Sequence, residues 1–413
     1  MRQGIPHAIL LLLAGVFTVH ACHSPDKPAG QTAIAREKEL PLGTTDALPL
    51  TYLSPADNPT TPEKVELGRL LFYDPVLSGG KDVACATCHH PDFGYAESID
   101  LSIGVNGTGL GEKRRFNKDN NIPFTKRNSQ SLLNTAYNGI GPNGRYTPEE
   151  APMFWDLRAK GLEAQAAMPV KTFEEMRGHD FSEDHITTEV VKRVNAIAGY
   201  RRLFKSAFPE SNAVTITEIT KALGAFQRSL TAANSRFDQF MRGDRSALSE
   251  REQEGMKLFI QSGCARCHSG PMLSDFKPHV LGTPDNEKLP VSDSGILGTY
   301  GFRTPTLRNL RFTRPYMHSG KFQTLNEVLF FYEDLHGKPL RNQHVDRSQL
   351  DPLAAAVRVE FKDINTIVEF LNTLNDPDYD KKIPASVPSG LPVGGFIGAD
   401  AARPHPAHHA AQK

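Results

Sequence analysis

Two pentapeptides carry the chemistry this chain could perform: Cys85-Ala86-Thr87-Cys88-His89 and, in the second half, Cys264-Ala265-Arg266-Cys267-His268. In a C-x-x-C-H pentapeptide the two thiols can add across the vinyl groups of one haem, and the His that follows is placed to ligate its iron. Zinc would call for further Cys or His close by, and a thioredoxin-like redox pair would want no His fixed directly after it. The pattern, met twice, points to two covalent haem c groups, one on Cys85, Cys88 and His89 and one on Cys264, Cys267 and His268. The chain therefore reads as a dihaem c-type cytochrome.

Composition bounds the rest. The 413 residues include 47 basic and 47 acidic side chains and carry no formal net charge. Nothing in that balance suits a nucleic-acid partner. The N-terminus runs from Met1-Arg2-Gln3 through an apolar stretch, Ala8 to Val19, to Val19-His20-Ala21-Cys22. A basic start, a short apolar run and a small residue before the cut describe a secretory signal, and the run is too short for a membrane span. Four of the five Cys are used by the haem sites, which leaves Cys22 at the cut, where it resembles the lipidated first residue of a bacterial lipoprotein. His20 is unusual in such a lipobox, and the alternative is a free thiol in a discarded leader. Haem attachment to Cys fits an oxidising compartment, so the expectation is a periplasmic protein with a lipid anchor through Cys22.

The elements that must position the haem sites read as helices. Val65, Leu67, Leu70 and Leu71 follow helical spacing ahead of the first pentapeptide, and Asp74-Pro75 should end that helix. A second helix starts at Leu162 and stops at Pro169, and others cover 187–198 and 215–232. Ser249 with Glu252 forms a capping-box pattern that opens the helix leading into the second pentapeptide; Thr324 with Glu327 opens another, and a last helix covers Ile364 to Leu374. No alternating strand pattern of any length is present. The expected organisation is a signal with lipobox (1–22), a tether (23–50), an N-terminal haem c domain (51–240), a C-terminal one (241–384) and a disordered tail (385–413) whose His405, His408 and His409 are at most a weak metal tract. The fold class is all-α, with long loops.

Further ordered motifs give the chain a family likeness: Arg127-Asn128-Ser129, Phe154-Trp155-Asp156, Gln165 with Glu175-Met176, Phe302 to Asn309, and Pro315-Tyr316-Met317-His318-Ser319-Gly320. Residues about 55 to 380 resemble the bacterial dihaem cytochrome c peroxidases and their MauG-type relatives. The resemblance implies two cytochrome c-like domains with a calcium ion and a tryptophan between them, hydrogen peroxide as substrate, and a protein donor (a small c-type cytochrome or cupredoxin) or an oxidised protein substrate. It further implies that Glu175 moves protons during peroxide cleavage, that Gln165 orients the peroxide and that Trp155 relays electrons. Asn128, Thr313 and Pro315 match the family's calcium ligands, and members are often homodimers. By composition alone Glu174-Glu175 would be a solvated acidic pair, Trp155 a core residue and Asn128 a turn residue.

Two departures bear on the branch of the family. The second His that caps the first iron in peroxidases needing prior reduction is replaced by Val105, and no His lies between His90 and His179. His90 follows His89 too closely to reach the opposite face. The first haem is thus expected to be open at rest. The position of the second haem's Met ligand holds Tyr332, as in MauG-type proteins, with Met272 and Met317 as rival ligands and a core aromatic as the plain alternative. A hard phenolate favours ferric iron. The expectation is a MauG-like peroxidase; a conventional peroxide-detoxifying cytochrome c peroxidase and a non-catalytic dihaem carrier are the alternatives.

Overall fold

Each C-x-x-C-H segment is delivered by a helix that crosses a later helix at a glycine. In the computed structural model, which describes residues 45–117 and 121–397, α1 (Pro62–Tyr73) starts at Thr61, whose hydroxyl accepts the Lys64 N–H, with Pro62 at the first helical position. It is followed by the short turn of α2 (Cys85–Cys88) and, much later, α3 (Leu162–Lys171), α4 (Glu183–Ala196), α5 (Ala198–Ala207) and α6 (Ile216–Ser229). Helix α1 lies so close on α6 that a Cβ at Gly68 would sit 2.0 Å from the Ala222 oxygen. Leu67, Leu71, Phe72, Ile186, Val190, Tyr200, Ile219 and Phe226 form the core around this crossing.

The second half repeats the device. Helices α7 (Arg236–Met241), α8 (Glu250–Gln261), α9 (Leu325–Asp334), α10 (Pro352–Ala355) and α11 (Ile364–Asn372) follow in order. A Cβ at Gly255 of α8 would lie 2.2 Å from the Thr366 oxygen of α11, and Phe237, Phe259, Leu329, Ile367 and Phe370 build a second core there. The Ser249–Glu252 capping box is present, with reciprocal bonds of 2.8 and 3.3 Å. At α9 only half the box forms: Thr324 accepts the Glu327 N–H, but the Glu327 carboxylate takes the Gln323 N–H.

The strands are two or three residues long. Three antiparallel pairs occur among the described residues: β1 (Gly107–Thr108) with β2 (Arg115–Phe116), β3 (Pro152–Met153) with β4 (Ala159–Lys160), and β5 (Pro278–Val280) with β6 (Gly301–Arg303). They are loop clasps, and the fold is mostly helical.

Three expectations need correction. Helix α3 runs through Pro169 to Lys171 and passes into a π-helical turn, Phe173–Arg177. The helix closes beyond the proline, where the Thr172 N–H reaches both Met168 and Pro169 oxygens (3.0 and 3.2 Å). Order begins within the expected tether: Thr45 bridges Gly270, and buried Leu48 donates its N–H to Asp238 at 2.9 Å. At the other end, residues 385–397 are packed against the first core, with Val387 buried and the Gly394 N–H bonded to the Tyr73 oxygen (2.7 Å). Proline and glycine there shape a strap. The signal, Cys22, and His405, His408 and His409 lie outside the described residues. No helix among the described residues is long and apolar enough to cross a membrane.

Candidate haem sites and peroxide pocket

One cavity of about 610 Å³ is lined by both Cys pairs, His89, His268, Trp155, Gln165, Glu175, Asn128, Thr313, Pro315 and Tyr332. The two histidines are held alike. His89 Nδ1 is 2.9 Å from the Tyr95 oxygen and His268 Nδ1 is 2.9 Å from the Leu273 oxygen. A proton on Nδ1 bonded to a carbonyl leaves Nε2 free as the iron ligand, the orientation that ligating histidines require. Ser129 reinforces the first site, since its hydroxyl donates to the Cys88 oxygen (2.8 Å) and lies 3.2 Å from His89 Nδ1. Burial pushes the Cys85 and Cys264 thiols up to about 12. Thiols and imidazoles around one apolar cavity fit haem c at both positions.

Glu175 sits on the π-helical turn, a form of helix that recurs at functional sites. Burial pushes its carboxyl up to about 7, with Glu174 adding to the shift and the Arg158 guanidinium opposing it. Its backbone oxygen accepts the Val105 N–H at 3.1 Å. Gly104 allows this approach, because a Cβ there would meet the Glu174 oxygen at 2.2 Å. Val105 therefore abuts the turn that carries the candidate acid-base group. The other histidines of this region lie elsewhere: His90 is paired with Asp92, and exposed His179 packs on the Phe173 ring and bonds Asn121.

Trp155 is presented by the β3–β4 hairpin, between Phe154 and Leu157, both at positive φ. Its indole N–H donates to the Asn128 oxygen at 3.0 Å. His318 is interleaved here, stacked on Phe302 with ring centroids 3.5 Å apart and edge-on to Trp155 at 6.3 Å. Its Nε2 is buried without a hydrogen-bond partner, and burial lowers the imidazole to about 3. The Asn128 carboxamide nitrogen donates to the oxygens of Ile99 and Asp100 (2.9 and 3.1 Å), which leaves its oxygen for a cation.

Tyr332, on α9, lines the cavity with Cys264 and Cys267, and its phenol is raised by burial and by those two sulfurs. Met317 also lines it, whereas Met272 packs with Leu48, Tyr137 and Phe276 in a separate cluster. Sequence reasoning gave no role to His279, which lies between Asp275 (2.9 Å) and Asp351 (2.8 Å) beside the second haem site. The carboxylate of Asp275, with Cys267 and Asp351 adding, raises this imidazole to about 11. Asp351 is too distant in sequence for any motif to connect it. Arg303 also faces the cavity; its motif was visible, its burial was not.

A cavity with two haem-attachment motifs, two ligand histidines and a buried carboxyl defines a dihaem cytochrome equipped for redox catalysis. The profile of the family described as di-haem cytochrome c peroxidase matches residues 62–246. The methylamine utilization protein MauG of Methylorubrum extorquens is 34% identical over 80% of this chain and 87% of its own. Cytochrome c551 peroxidase of Nitrosomonas europaea is 31% identical over 81% and 86%. Among solved structures, a MauG-like protein associated with microbial copper homeostasis superposes with a TM-score of 0.64 at 27% identity, covering 83% of this chain and 96% of that one. The chain belongs to the dihaem cytochrome c peroxidase and MauG family. It is a haem peroxidase-type oxidoreductase, and membership implies two haem c groups.

Proposed function

We propose that the protein is a periplasmic MauG-like enzyme that reduces hydrogen peroxide at the Cys85–Cys88 haem, with electrons drawn through the Cys264–Cys267 haem from a donor protein or an oxidised protein substrate. The observation that carries this reading is the placement of Tyr332 in the cavity beside Cys264 and Cys267, where a MauG-type ligand is needed. Val105 against the Glu175 turn, with His90 engaged by Asp92 and His179 exposed against Phe173 and Asn121, supports an open first iron.

Cys85, Cys88 and His89 would hold a haem at the first site, which would supply the redox chemistry toward peroxide. Glu175, ionised above about pH 7, takes a proton from one peroxide oxygen and returns it to the departing oxygen, which leaves as water. Gln165 offers an amide to orient the peroxide. Two electrons and two protons per peroxide complete its conversion to two waters, and Trp155 carries electrons between the sites. Asn128, Thr313 and Pro315 would hold a calcium ion. The N-terminal domain 51–240 and the C-terminal domain 241–384 each carry one haem.

An electron paramagnetic resonance spectrum of the ferric protein, taken before any reductant, tests the reading. One high-spin and one low-spin signal are expected. Two low-spin signals would mean a capped first iron and favour a conventional peroxidase that needs prior reduction. Complete inertness to peroxide would leave a dihaem electron carrier.

A further inference from the structure

Arg303 is a buried cation without a protein counter-charge. It ends β6, is only 6% exposed, and bonds neutral groups alone. Its Nε donates to the Phe154 oxygen at 2.8 Å and Nη2 to the Gln130 side-chain oxygen at 3.1 Å, while the guanidinium faces the Phe276 ring at 5.9 Å. The other buried arginines among the described residues all have a carboxylate: Arg308 with Asp238 (2.9 Å), Arg228 with Glu163 (2.5 Å), Arg69 with Asp380 (2.6 Å) and Arg114 with Glu97 (4.0 Å). Burial lowers Arg303 to about 10, and no neighbouring charge acts on it. It remains a cation at neutral pH, and a buried charge is kept only when something pairs with it.

Arg303 lines the cavity shared by the two C-x-x-C-H motifs. Peroxide is neutral there and needs no such charge. A haem fixed by its vinyl carbons brings two propionate carboxylates, and a carboxylate matches the planar guanidinium fork. We propose that Arg303 is the counter-ion of a haem propionate. The inference rests on the two-haem reading above. Either haem could supply the group by position. Thr304 lies on the second-site side, its oxygen taking the Ser274 hydroxyl at 2.7 Å. Gln130 follows Ser129, which touches His89. The same residue donates its backbone N–H to the Trp155 oxygen at 2.7 Å, so propionate binding and the placement of the relay are mechanically joined. Arg303 is thus a positioning residue as well as a counter-charge.

The test uses the full-length holoprotein, with pyridine haemochrome counting of haem and spectroelectrochemical titration of both haems. Fewer than two haems in the native protein would defeat the two-haem reading itself. With two haems in place, Arg303→Gln keeps a donor for the Phe154 oxygen but loses the charge, so the midpoint potential of one haem should fall. Whichever haem shifts names the propionate. Arg303→Lys keeps the charge and should hold both potentials near native. Unchanged potentials in the fully loaded Arg303→Gln protein would overturn the proposal, as would a fall in Arg303→Lys as large as in Arg303→Gln. If Arg303→Gln does not load haem, resonance Raman on native protein and Arg303→Lys decides. A shifted propionate bending band supports the contact, and an identical band refutes it.

Discussion

The indole nitrogen of Trp155 donates to the backbone oxygen of Asn128 at 3.0 Å, which joins the chain's one tryptophan to the residue whose carboxamide is free for a cation. The Asn128 N–H is itself bonded to the His318 oxygen (2.7 Å), so a cation at this point would brace three partners of one aromatic group. Chelation of calcium and Trp155→Phe should therefore slow interhaem electron transfer through a shared route. Stopped-flow spectroscopy after a single equivalent of peroxide would follow it, with roughly an order-of-magnitude loss for either change. Combined, the two should give less than the sum of their separate effects, as coupled groups do. Strict additivity would separate the tryptophan from the cation.

Glu175→Gln preserves shape and removes the proton carrier. Peroxide turnover should fall by about 10²–10⁴-fold, the usual share of general acid-base catalysis, with both haems still attached. The native rate should rise with pH through about 7, because only the ionised carboxyl accepts the first proton. Stability should move the other way. A carboxyl raised from 4.5 to about 7 favours the folded state fully below its unfolded pKa, and that contribution is lost as pH rises through about 7. Thermal unfolding of native protein and Glu175→Gln across pH 4 to 8 should show a steeper slope in the native chain, since buried Glu97, also raised to about 7, titrates in both. A parallel pair of profiles would place the carboxyl in water.

What sequence could reveal here depended on how local the cause is. The Ser249–Glu252 cap is set by residues a few positions apart and forms as read. Pro169 misled because its ring normally ends a helix; here the helix runs past it to Lys171, and the π-helical turn that follows brings Glu175 to the cavity wall. The resemblance located Glu175, while periodicity could not. Contacts such as Arg303 to Phe154, or His279 to Asp351, join distant segments and leave no spacing to detect. The Pro- and Gly-rich end had the composition of a disordered tail, yet backbone hydrogen bonds hold residues 385–397 to the first core.

Tyr332 as ligand would set the redox character of the second haem. A phenolate stabilises ferric iron where a thioether stabilises ferrous iron, so Tyr332→Met should raise that haem's midpoint potential while leaving the first unchanged. Tyr332→Phe should convert its low-spin ferric signal to high-spin. Burial raises the phenol, so ligation must overcome a preference for the protonated form. Persistence of the low-spin signal in Tyr332→Phe would transfer ligation to another group, with Met317 the rival ligand that also lines the cavity.

The strap formed by 385–397 makes the first haem segment depend on residues far along the chain. Asp74, at the end of α1, takes the Ser389 hydroxyl at 2.6 Å on one oxygen and the Tyr200 hydroxyl at 2.7 Å on the other. Thr87, inside the first pentapeptide, donates to the Gly394 oxygen at 2.8 Å, and the Phe396 N–H reaches the Asp82 oxygen at 2.9 Å. Hydrogen bonds to charged groups contribute about 1.5–3 kcal/mol each, and burying Val387 adds roughly 1.5–3 kcal/mol. Ser389→Ala should thus cost about 1–3 kcal/mol, and a chain ending at Pro384 more. Thermal unfolding of the holoprotein would measure both, with haem count as the second readout because Thr87 lies between the two thiols. An unchanged melting temperature after truncation would mean that these bonds only replace equivalent ones to water, and that the first core is complete without the strap.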